Sequence, residues 1–173
     1  MASGAEPAAE RDRPPEPLEP GQQTLLVRDR RGPALEVLPE AAFKNLLVVT
    51  TGETPSQVEA RLRDRGVDPR TVGVVPITST LLAYEGPLWT TDRVAPGDLT
   101  GISVRVSQGF PHLEADSGWL AVDSISTLLM YAEEDRVYRL FDWLVGSARR
   151  EGINGVYKLQ PDVLTDRTRS RFE

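Results

Sequence analysis

Asp123 and Ser124 are the residues of this chain whose types and position best suit metal and phosphate chemistry. They follow the apolar run at residues 118–122, which is typical of a strand buried in a parallel sheet. An acid at the end of such a strand can hold the water shell of Mg²⁺ during phosphoryl transfer. Two interpretations of Asp123 therefore stand side by side: a Mg²⁺-binding residue, or a structural residue that caps the turn after its strand.

The sequence lacks the loop that would hold the phosphates themselves. The motif G-x-x-x-x-G-K-[ST], whose backbone amides and lysine bind phosphate oxygens, occurs nowhere in the 173 residues. The chain has only two lysines, Lys44 and Lys158, and neither follows a glycine-rich loop. The chain is therefore either a pseudo-enzyme on a nucleotide-binding scaffold or a protein in which Asp123 is structural.

A charged turn stands where a phosphate loop would follow the first predicted strand, at residues 24–27. It carries Arg28, Arg30 and Arg31, and these cations could contact an anion. Pro33 removes one backbone N–H from any phosphate nest in this turn. An ordinary charged turn is the alternative interpretation.

Composition excludes several other kinds of site. The chain has no cysteine, which excludes disulfides, cysteine-based zinc sites and a Cys nucleophile; its only histidine is His112, which excludes a multi-histidine metal site. The net charge of −6 argues against broad nucleic-acid binding. Apolar runs are only a few residues long and nothing resembles a signal peptide, so we expect a cytoplasmic protein without a membrane span.

Arginine supplies nearly all of the positive charge. All but two of the 20 cationic residues are arginines. Few lysines together with many acids and arginines are typical of a salt-adapted proteome, and a GC-rich genome would also favour arginine over lysine. Composition alone leaves both explanations open.

One folded domain is predicted after a polar N-terminal tail. Residues 1–22 are rich in proline, glutamate and alanine, with Leu18 the only large aliphatic residue after Met1. Such a segment buries too little apolar surface to offset its conformational entropy, so we predict that it is disordered. The domain is expected at residues 23–173.

Strands and helices alternate in the first half of this domain. Apolar runs predict strands at residues 46–50 and 72–77. Between them a helix over 55–66 is predicted, because Thr54 and Gln57 form the pattern of a capping box. The order strand, helix, strand predicts a parallel βαβ unit.

Residues 78–98 are predicted to form a long surface connection. Tyr84 and Trp89 lie in this connection. Aromatic residues are enriched at protein interfaces, so these two are the aromatic candidates for an exposed contact with a partner. For Trp89, as for Trp119 and Trp143, a core or partly buried position is the alternative.

The alternation continues in the second half of the domain. Asp98 is predicted to cap a helix with an apolar stripe, although alternating β-branched residues also permit a strand. The acids at residues 133–135 and the apolar stripe after them predict a long helix that ends at Gly152. A last strand is predicted at 155–160, and a further helix could begin within 162–173. Together these elements predict an α/β domain with a mostly parallel sheet flanked by helices.

Three stretches together resemble one known superfamily. They are LVVTTGETPSQ at residues 47–57, PGDLTGI at 96–102 and WLAVDSISTLLMY at 119–131. They resemble the RecA-like ATPases, within them the KaiC/RadA-type branch, and more closely a group of small uncharacterised haloarchaeal proteins with degenerate KaiC-like domains. The resemblance covers residues 24–173 and implies a RecA-like three-layer α/β fold. Haloarchaeal origin would also account for the low lysine content and the acidity.

The resemblance assigns roles to a few residues. Asp123 matches the Walker B acid that orders Mg²⁺, and Ser124 matches the small polar residue after it. Glu53 matches one of the glutamates that activate the attacking water in active members, and Gly52 takes the place of the other. The Walker A lysine and Ser/Thr have no counterpart. Because phosphoryl transfer depends on positioning and electrostatic stabilisation, we expect no ATP hydrolysis and assign no catalytic residue.

Three functional hypotheses follow. The leading one is a catalytically inactive RecA/KaiC-like domain that acts as a protein-interaction or signalling module, with a protein partner or a homo-oligomer suggested by analogy. The alternative is a nucleotide-binding regulator without efficient ATP hydrolysis, in which Asp123, Glu53 and the arginines of the 28–31 turn contact ATP and Mg²⁺. A third is an enzyme of unrelated chemistry, with carboxylates and tyrosines as its few acid–base candidates. No other cofactor and no structural metal is expected.

Overall fold

Parallel strands form one sheet at the centre of the domain. The computed structural model describes residues 19–28, 32–163 and 165–173. Within these residues the strands are β1 Gln23–Val27, β2 Leu46–Thr50, β3 Val72–Pro76, β4 Trp89–Thr90, β5 Trp119–Val122 and β6 Asn154–Leu159. Their order across the sheet is β1–β6–β5–β2–β3–β4, and every neighbouring pair is parallel.

Helices cover both faces of this sheet. They are α1 Pro55–Asp64, α2 Leu99–Gly109, α3 Ile125–Leu129, α4 Glu134–Arg150 and α5 Asp166–Phe172, and 3₁₀ turns lie at 34–37, 40–44, 69–71, 110–112 and 161–163. One face packs against α2, α3, α4 and α5. The other packs against α1 and the 3₁₀ turns between residues 34 and 44. The predicted α/β class with a parallel sheet between two helical layers is confirmed.

The central strand β2 shows why the sheet is apolar on both sides. Leu47 and Val49 lie in the core beneath α2, α3 and α4, whereas Leu46 and Val48 lie in the opposite core. All five residues of β2 are buried. A strand that is covered on both faces needs a continuous apolar run, as in the sequence, instead of alternating polar residues.

The helix after β2 begins at the predicted capping residues. The Thr54 hydroxyl accepts a hydrogen bond from the Gln57 backbone N–H at 3.3 Å, and the Gln57 side-chain oxygen accepts one from the Thr54 N–H at 2.9 Å. Gly66 follows α1 with φ +73°, the left-handed conformation that favours glycine after a helix. The parallel pairing of β2 with β3 confirms the βαβ unit.

The predicted surface connection contains a strand that the sequence did not reveal. In β4, Trp89 is in register with Gly73 of β3, and a Cβ on that glycine would lie 2.9 Å from the indole ring. Trp89 is half-buried, and its ring centroid lies 4.1 Å from that of His112. Trp89 thus has the partly buried position that was one of its two expected placements, and its contact with a partner stays a prediction. A strand of two residues carries no readable periodicity and yet places this side chain on the sheet.

A helix, not a strand, follows Asp98. The Asp98 carboxylate accepts a hydrogen bond from the backbone N–H three residues later at 2.8 Å. The stripe of Leu99, Ile102 and Val106 is buried against the sheet, whereas Val104 is about half exposed. The segment forms a helix despite its alternating β-branched residues, because the helical spacing places a complete apolar stripe against the core.

Both ends of the domain are tied to the sheet or to a helix. The predicted tail lies outside the described residues as far as residue 18, and at Gln22 the backbone carbonyl already accepts a hydrogen bond from the Gly155 N–H at 2.9 Å. The helix that could begin within 162–173 is α5, and Thr165 caps it. In the described part of the chain, no helix has the length and apolarity needed to cross a membrane.

Replacement of Leu120, a fully buried residue of β5, is expected to destabilise the domain strongly. We expect Leu120→Ala to lower the free energy of unfolding by about 2–5 kcal/mol, because it removes buried apolar contacts and leaves a cavity. Leu81→Ala, at a side chain that is 83% exposed, is the control and should change it by less than about 0.5 kcal/mol. Urea unfolding measures both, and equal effects would contradict the packing described for β5.

Candidate functional site

The carboxyl ends of β2 and β5 form the crevice of this sheet. From β2 the chain continues to β3 and β4 on one side, and from β5 it continues to β6 on the other. In open parallel α/β sheets, ligands bind outside the carboxyl ends of the strands at such a reversal of strand order. Thr50 and Thr51 border the crevice on the β2 side, and Asp123 and Ser124 border it on the β5 side.

The Asp123 carboxylate joins the two strand ends. One of its oxygens accepts a hydrogen bond from the Thr50 hydroxyl at 2.7 Å. The other accepts two from Thr51, from the backbone N–H at 2.9 Å and from the hydroxyl at 3.0 Å. Asp123 is only 8% exposed. We call this arrangement the Asp123 clamp, and it is the structural role of Asp123 that the sequence left open.

The clamp fits an anchored carboxylate better than a magnesium ligand. A carboxylate has about four lone-pair positions for hydrogen bonds, and three donors already point at Asp123. Magnesium demands near-ideal octahedral oxygen geometry and keeps several of its own waters. The three donors leave one lone-pair position, so direct coordination of Mg²⁺ through more than that position would displace part of the clamp.

Lys158 also belongs to this site, although no role was predicted for it from the sequence. It lies on β6 beside Asp123, since Val122 and Tyr157 are in register, and its ammonium group donates a hydrogen bond to the Gly32 backbone carbonyl. Only 5% of Lys158 is exposed. A lysine inside an otherwise apolar strand was the available signal, because lysine is rarely buried without partners.

Burial and charge act in opposite directions on Lys158. Burial lowers the pKa of its ammonium group, and the carboxylates of Asp123 and Glu36 counteract part of that shift. Thr50, Asp123 and Lys158 lie on the same face of three adjacent strands. Side chains two positions apart in a strand share a face, and the residues two positions before them, Val48, Ala121 and Val156, all lie in the core beneath α1. The sheet edge therefore carries a row with one hydroxyl, one acid and one buried cation.

Glu53, the residue that matches a water-activating glutamate, is held in an ion pair. Its carboxylate accepts a hydrogen bond from the guanidinium group of Arg61 on α1. Arg61 also pairs with Glu36 at 3.4 Å. The backbone N–H of Glu53 donates to the Thr50 hydroxyl at 3.1 Å, so Glu53 borders the clamp while its side chain is directed to α1. The structure thus brings Glu53 and Asp123 to the same edge.

Ser124 caps a helix. Its hydroxyl accepts hydrogen bonds from the backbone N–H of Thr127 at 3.0 Å and from the Thr127 hydroxyl at 2.8 Å. It occupies the N-cap position of α3, where serine is among the preferred residues. Ser124 is therefore placed beside Asp123 as predicted, with its hydroxyl engaged in local capping.

The arginines proposed as anion contacts are only partly described. Arg28 follows β1 at the same edge of the sheet, and its backbone N–H donates to the Leu159 carbonyl at 3.1 Å. Its positive charge also contributes to the lowered pKa of Lys158. Arg30 and Arg31 lie outside the described residues, so their role as anion contacts stays a prediction.

Tyr84 is not free to act as an exposed aromatic contact. It is half-buried, and its hydroxyl donates to the Glu59 carboxylate on α1 at 2.7 Å and accepts from the Leu88 N–H at 3.2 Å. The hydrogen bonds from Tyr84 and Arg63 lower the pKa of Glu59. Tyr84 is half-buried instead of fully exposed because the connection folds back onto α1, and its contact with a partner stays a prediction. No cluster of three or more potential metal ligands occurs among the described residues.

Comparison with known proteins shows a likeness in fold. The crystal structure of the KaiC-like protein PH0186, from the hyperthermophilic archaeon Pyrococcus horikoshii OT3, matches with a TM-score of 0.57 at 13% sequence identity. The match covers 82% of this chain and 62% of that one, so this chain spans less than two thirds of its structural neighbour. No curated protein matches the chain.

The parallel sheet, the helices on both of its faces and this likeness define an α/β domain of the RecA/KaiC-like fold. The chain belongs to the family described as "Family of unknown function (DUF7504)", which matches residues 23–173. The match begins at the first residue of β1 and therefore includes every strand and helix given above.

Loss of the Asp123 carboxylate is expected to destabilise the domain even in the absence of any ligand. We expect Asp123→Ala to lower the free energy of unfolding by about 3 kcal/mol, because it leaves the donors of Thr50 and Thr51 without an acceptor and Lys158 without a neighbouring counter-charge. Asp92→Ala, at a carboxylate that is 87% exposed, should change it by less than about 0.5 kcal/mol. Chemical denaturation at neutral pH tests this, and a neutral Asp123→Ala would contradict the clamp.

Lys158→Met is expected to change how stability depends on pH in the alkaline range. The pKa of Lys158 is lower in the folded protein than in the unfolded chain. At a pH between these two pKa values, Lys158 is mostly protonated in the unfolded state and mostly deprotonated in the folded state. Stability due to Lys158 therefore rises with pH across this interval. Burial also raises the pKa of Tyr157, so the contribution of Tyr157 to stability falls as the pH rises. The wild type and Lys158→Met share this contribution, and it cancels in their difference.

The measurement is the difference in unfolding free energy between the wild type and Lys158→Met from pH 7 to 11. We expect the wild type to gain stability relative to the variant as the pH rises. A difference that stays constant over this range would contradict the lowered pKa of Lys158.

Proposed function

We propose that this chain is a catalytically inactive RecA/KaiC-like domain that acts as a protein-interaction or regulatory module. The observation that carries the proposal is the Asp123 clamp. The acid at the point where the strand order reverses accepts its hydrogen bonds from residues of the same domain. Three donors from Thr50 and Thr51 hold its carboxylate. An acid that anchors two strands in this way is a poor ligand for a metal that must bind and leave with a nucleotide.

The charges around the clamp support the same proposal. Phosphoryl transfer relies on cations and backbone donors that are aimed at the phosphates. Here the ammonium group of Lys158 is hydrogen-bonded to the Gly32 carbonyl, and the Glu53 carboxylate is paired with Arg61. Groups that resemble catalytic parts therefore have partners inside the domain. The proposal extends to a pseudo-ATPase of haloarchaeal origin, located in the cytoplasm, with a protein partner or a second copy of the chain.

A nucleotide-binding regulator without efficient hydrolysis is the second candidate. The observation that favours it is the position of the clamp, because the reversal of strand order is where ligands bind in sheets of this type. Asp123, Glu53 and Arg28 lie at that edge. In this alternative the clamp opens when ATP and Mg²⁺ bind.

Isothermal titration with ATP and ADP, each with Mg²⁺ in molar KCl, separates the two candidates. We expect no binding up to millimolar nucleotide, because the strand-end acid is already bonded and the Walker A motif is missing. An ATPase of this fold with an intact phosphate loop is the positive control. Micromolar binding that is lost in Asp123→Ala would support the regulator instead, and Mg²⁺-dependent ATP hydrolysis would overturn both.

A further inference from the structure

A groove on the outer surface runs between α2 and α4, away from the clamp. It comprises two adjoining cavities that share Trp143, with volumes of about 390 and 230 Å³. The larger cavity has an apolar floor that includes Phe110, Leu113 and Ile153. The smaller one is lined by Leu99, Leu140 and two arginines. We call this feature the α2–α4 groove.

One wall of the groove is a cationic stripe on α4. Arg136, Arg139, Trp143 and Arg150 border the cavities, and their spacing of three, four and seven residues places them on one side of the helix. Trp143 is half-buried, so part of its ring remains accessible. From the first of these arginines to the last, the helix rises about 21 Å, which matches six or seven residues of extended peptide.

The facing wall carries hydroxyl groups instead of acids. Thr100, Ser103 and Ser107 of α2 line the groove at intervals of three and four residues. Hydroxyls both donate and accept hydrogen bonds, so they can bind the backbone or the side chains of an occupant. This wall provides no negative charge to balance the arginines.

The arginines of the stripe are not neutralised by ion pairs within the described residues. Arg139 donates to the backbone carbonyl of Asp135, and Arg150 donates to the Ser147 hydroxyl. Arg136 and Arg139 are exposed and lie at the smaller cavity, whereas Arg150 lies at the larger cavity together with Glu151. Glu134 and Asp135 lie in the first turn of the same helix, where they pair with Arg171, and the charge of Arg139 also acts on Asp135. The guanidinium groups of Arg136 and Arg139 have no ion pair of their own among the described residues and remain accessible at the smaller cavity.

We propose that the α2–α4 groove binds an acidic peptide segment of a partner protein. Asp or Glu side chains of the segment lie over Arg136 and Arg139, and an aliphatic or aromatic side chain enters the larger cavity beside Trp143. Exposed aromatic and arginine residues around a pocket are the usual energetic centre of such interfaces. The opposite charges also steer the partner to the groove.

A peptide suits the groove better than a nucleic acid. Nucleic-acid binding draws on cations spread along a phosphate backbone, and the protein as a whole is acidic. Here two arginines stand at one end, and at the other lies a cavity with an apolar floor and with Arg150 and Glu151 at its border. This arrangement matches a segment with acids followed by an apolar side chain. This inference rests on the proposed function as an interaction module and names its binding surface and the chemistry of its partner.

The test is a selection of random heptapeptides displayed against the full chain. We expect enrichment of sequences with at least two acids next to a Leu, Ile, Phe or Trp. A synthetic peptide with the enriched sequence should change the tryptophan fluorescence on titration. Its affinity should fall with rising KCl, because the contacts to Arg136 and Arg139 are exposed ion pairs.

A pair of matched variants locates the binding. Arg136→Gln with Arg139→Gln should weaken binding of the selected peptide by about tenfold, whereas Arg70→Gln with Arg93→Gln, which removes the same charge from exposed sites elsewhere, should leave it within about twofold. All four positions are exposed, so these variants keep the core intact.

Several outcomes would overturn the inference. Absence of enriched acidic peptides, or equal affinity for the two double variants, would exclude the groove as an acidic-peptide site. Preferential binding of single-stranded DNA or RNA to the wild type over Arg136→Gln with Arg139→Gln would assign it to nucleic acid. If a peptide with the sequence of residues 1–18 is the only one that binds, the occupant is this chain's own segment. None of these outcomes bears on nucleotide binding, which tests the proposed function separately.

Discussion

The hydrogen bonds of Asp123 hold together the place where the two halves of the sheet meet. β2 and β5 are neighbours in the sheet but are separated by about seventy residues of chain, and the acid at the end of one strand accepts three hydrogen bonds from the end of the other. The register of paired residues ends at Val49 and Val122, and the Asp123 N–H still donates a hydrogen bond to the Val49 carbonyl at 3.0 Å. The carboxylate extends the connection by one more pair of residues, at the edge where the strand order reverses and a ligand crevice would open.

The described residues of the same edge include charges of both signs. Asp123 lies beside the buried ammonium group of Lys158, whose pKa also responds to Glu36; Glu36 pairs with Arg61, and Arg61 with Glu53. Opposite charges thus alternate from β5 through β6 to α1. A buried charge is costly unless it has partners of opposite sign, and this applies to the buried Asp123 and Lys158, whereas Arg61 and Glu36 are exposed. The edge where ligands bind in open parallel sheets is thus held by interactions within the domain.

The outer layer of α2 and α4 has the opposite character. Its inner side is packed into the main core, while its surface has a groove with accessible arginines and a partly exposed tryptophan. Exposed arginines of α4 therefore lie on a helix surface, and the clamp lies at the strand ends, so the two features belong to different parts of the domain.

The sequence by itself determined most of the long elements of the fold, because their signals are local, whereas the short β4 and α3 were not predicted. The apolar run of β2, the capping box of Thr54 and Gln57 and the amphipathic stripe of α4 each involve residues a few positions apart, and all three are found in the structure. The position of Asp123 at a strand end was also readable from the sequence, as was Ser124 beside it.

The tertiary structure decided what those residues do. Whether Asp123 holds a metal or a strand depends on Thr50 and Thr51, and the environment of Lys158 depends on β6 lying between β1 and β5. The half-buried position of Trp89 results from a strand too short to have a period, and the α2–α4 groove results from the packing of two helices distant in sequence. Parallel strands and packed helices bring together residues whose spacing along the chain is arbitrary, so no local pattern in the sequence encodes these contacts.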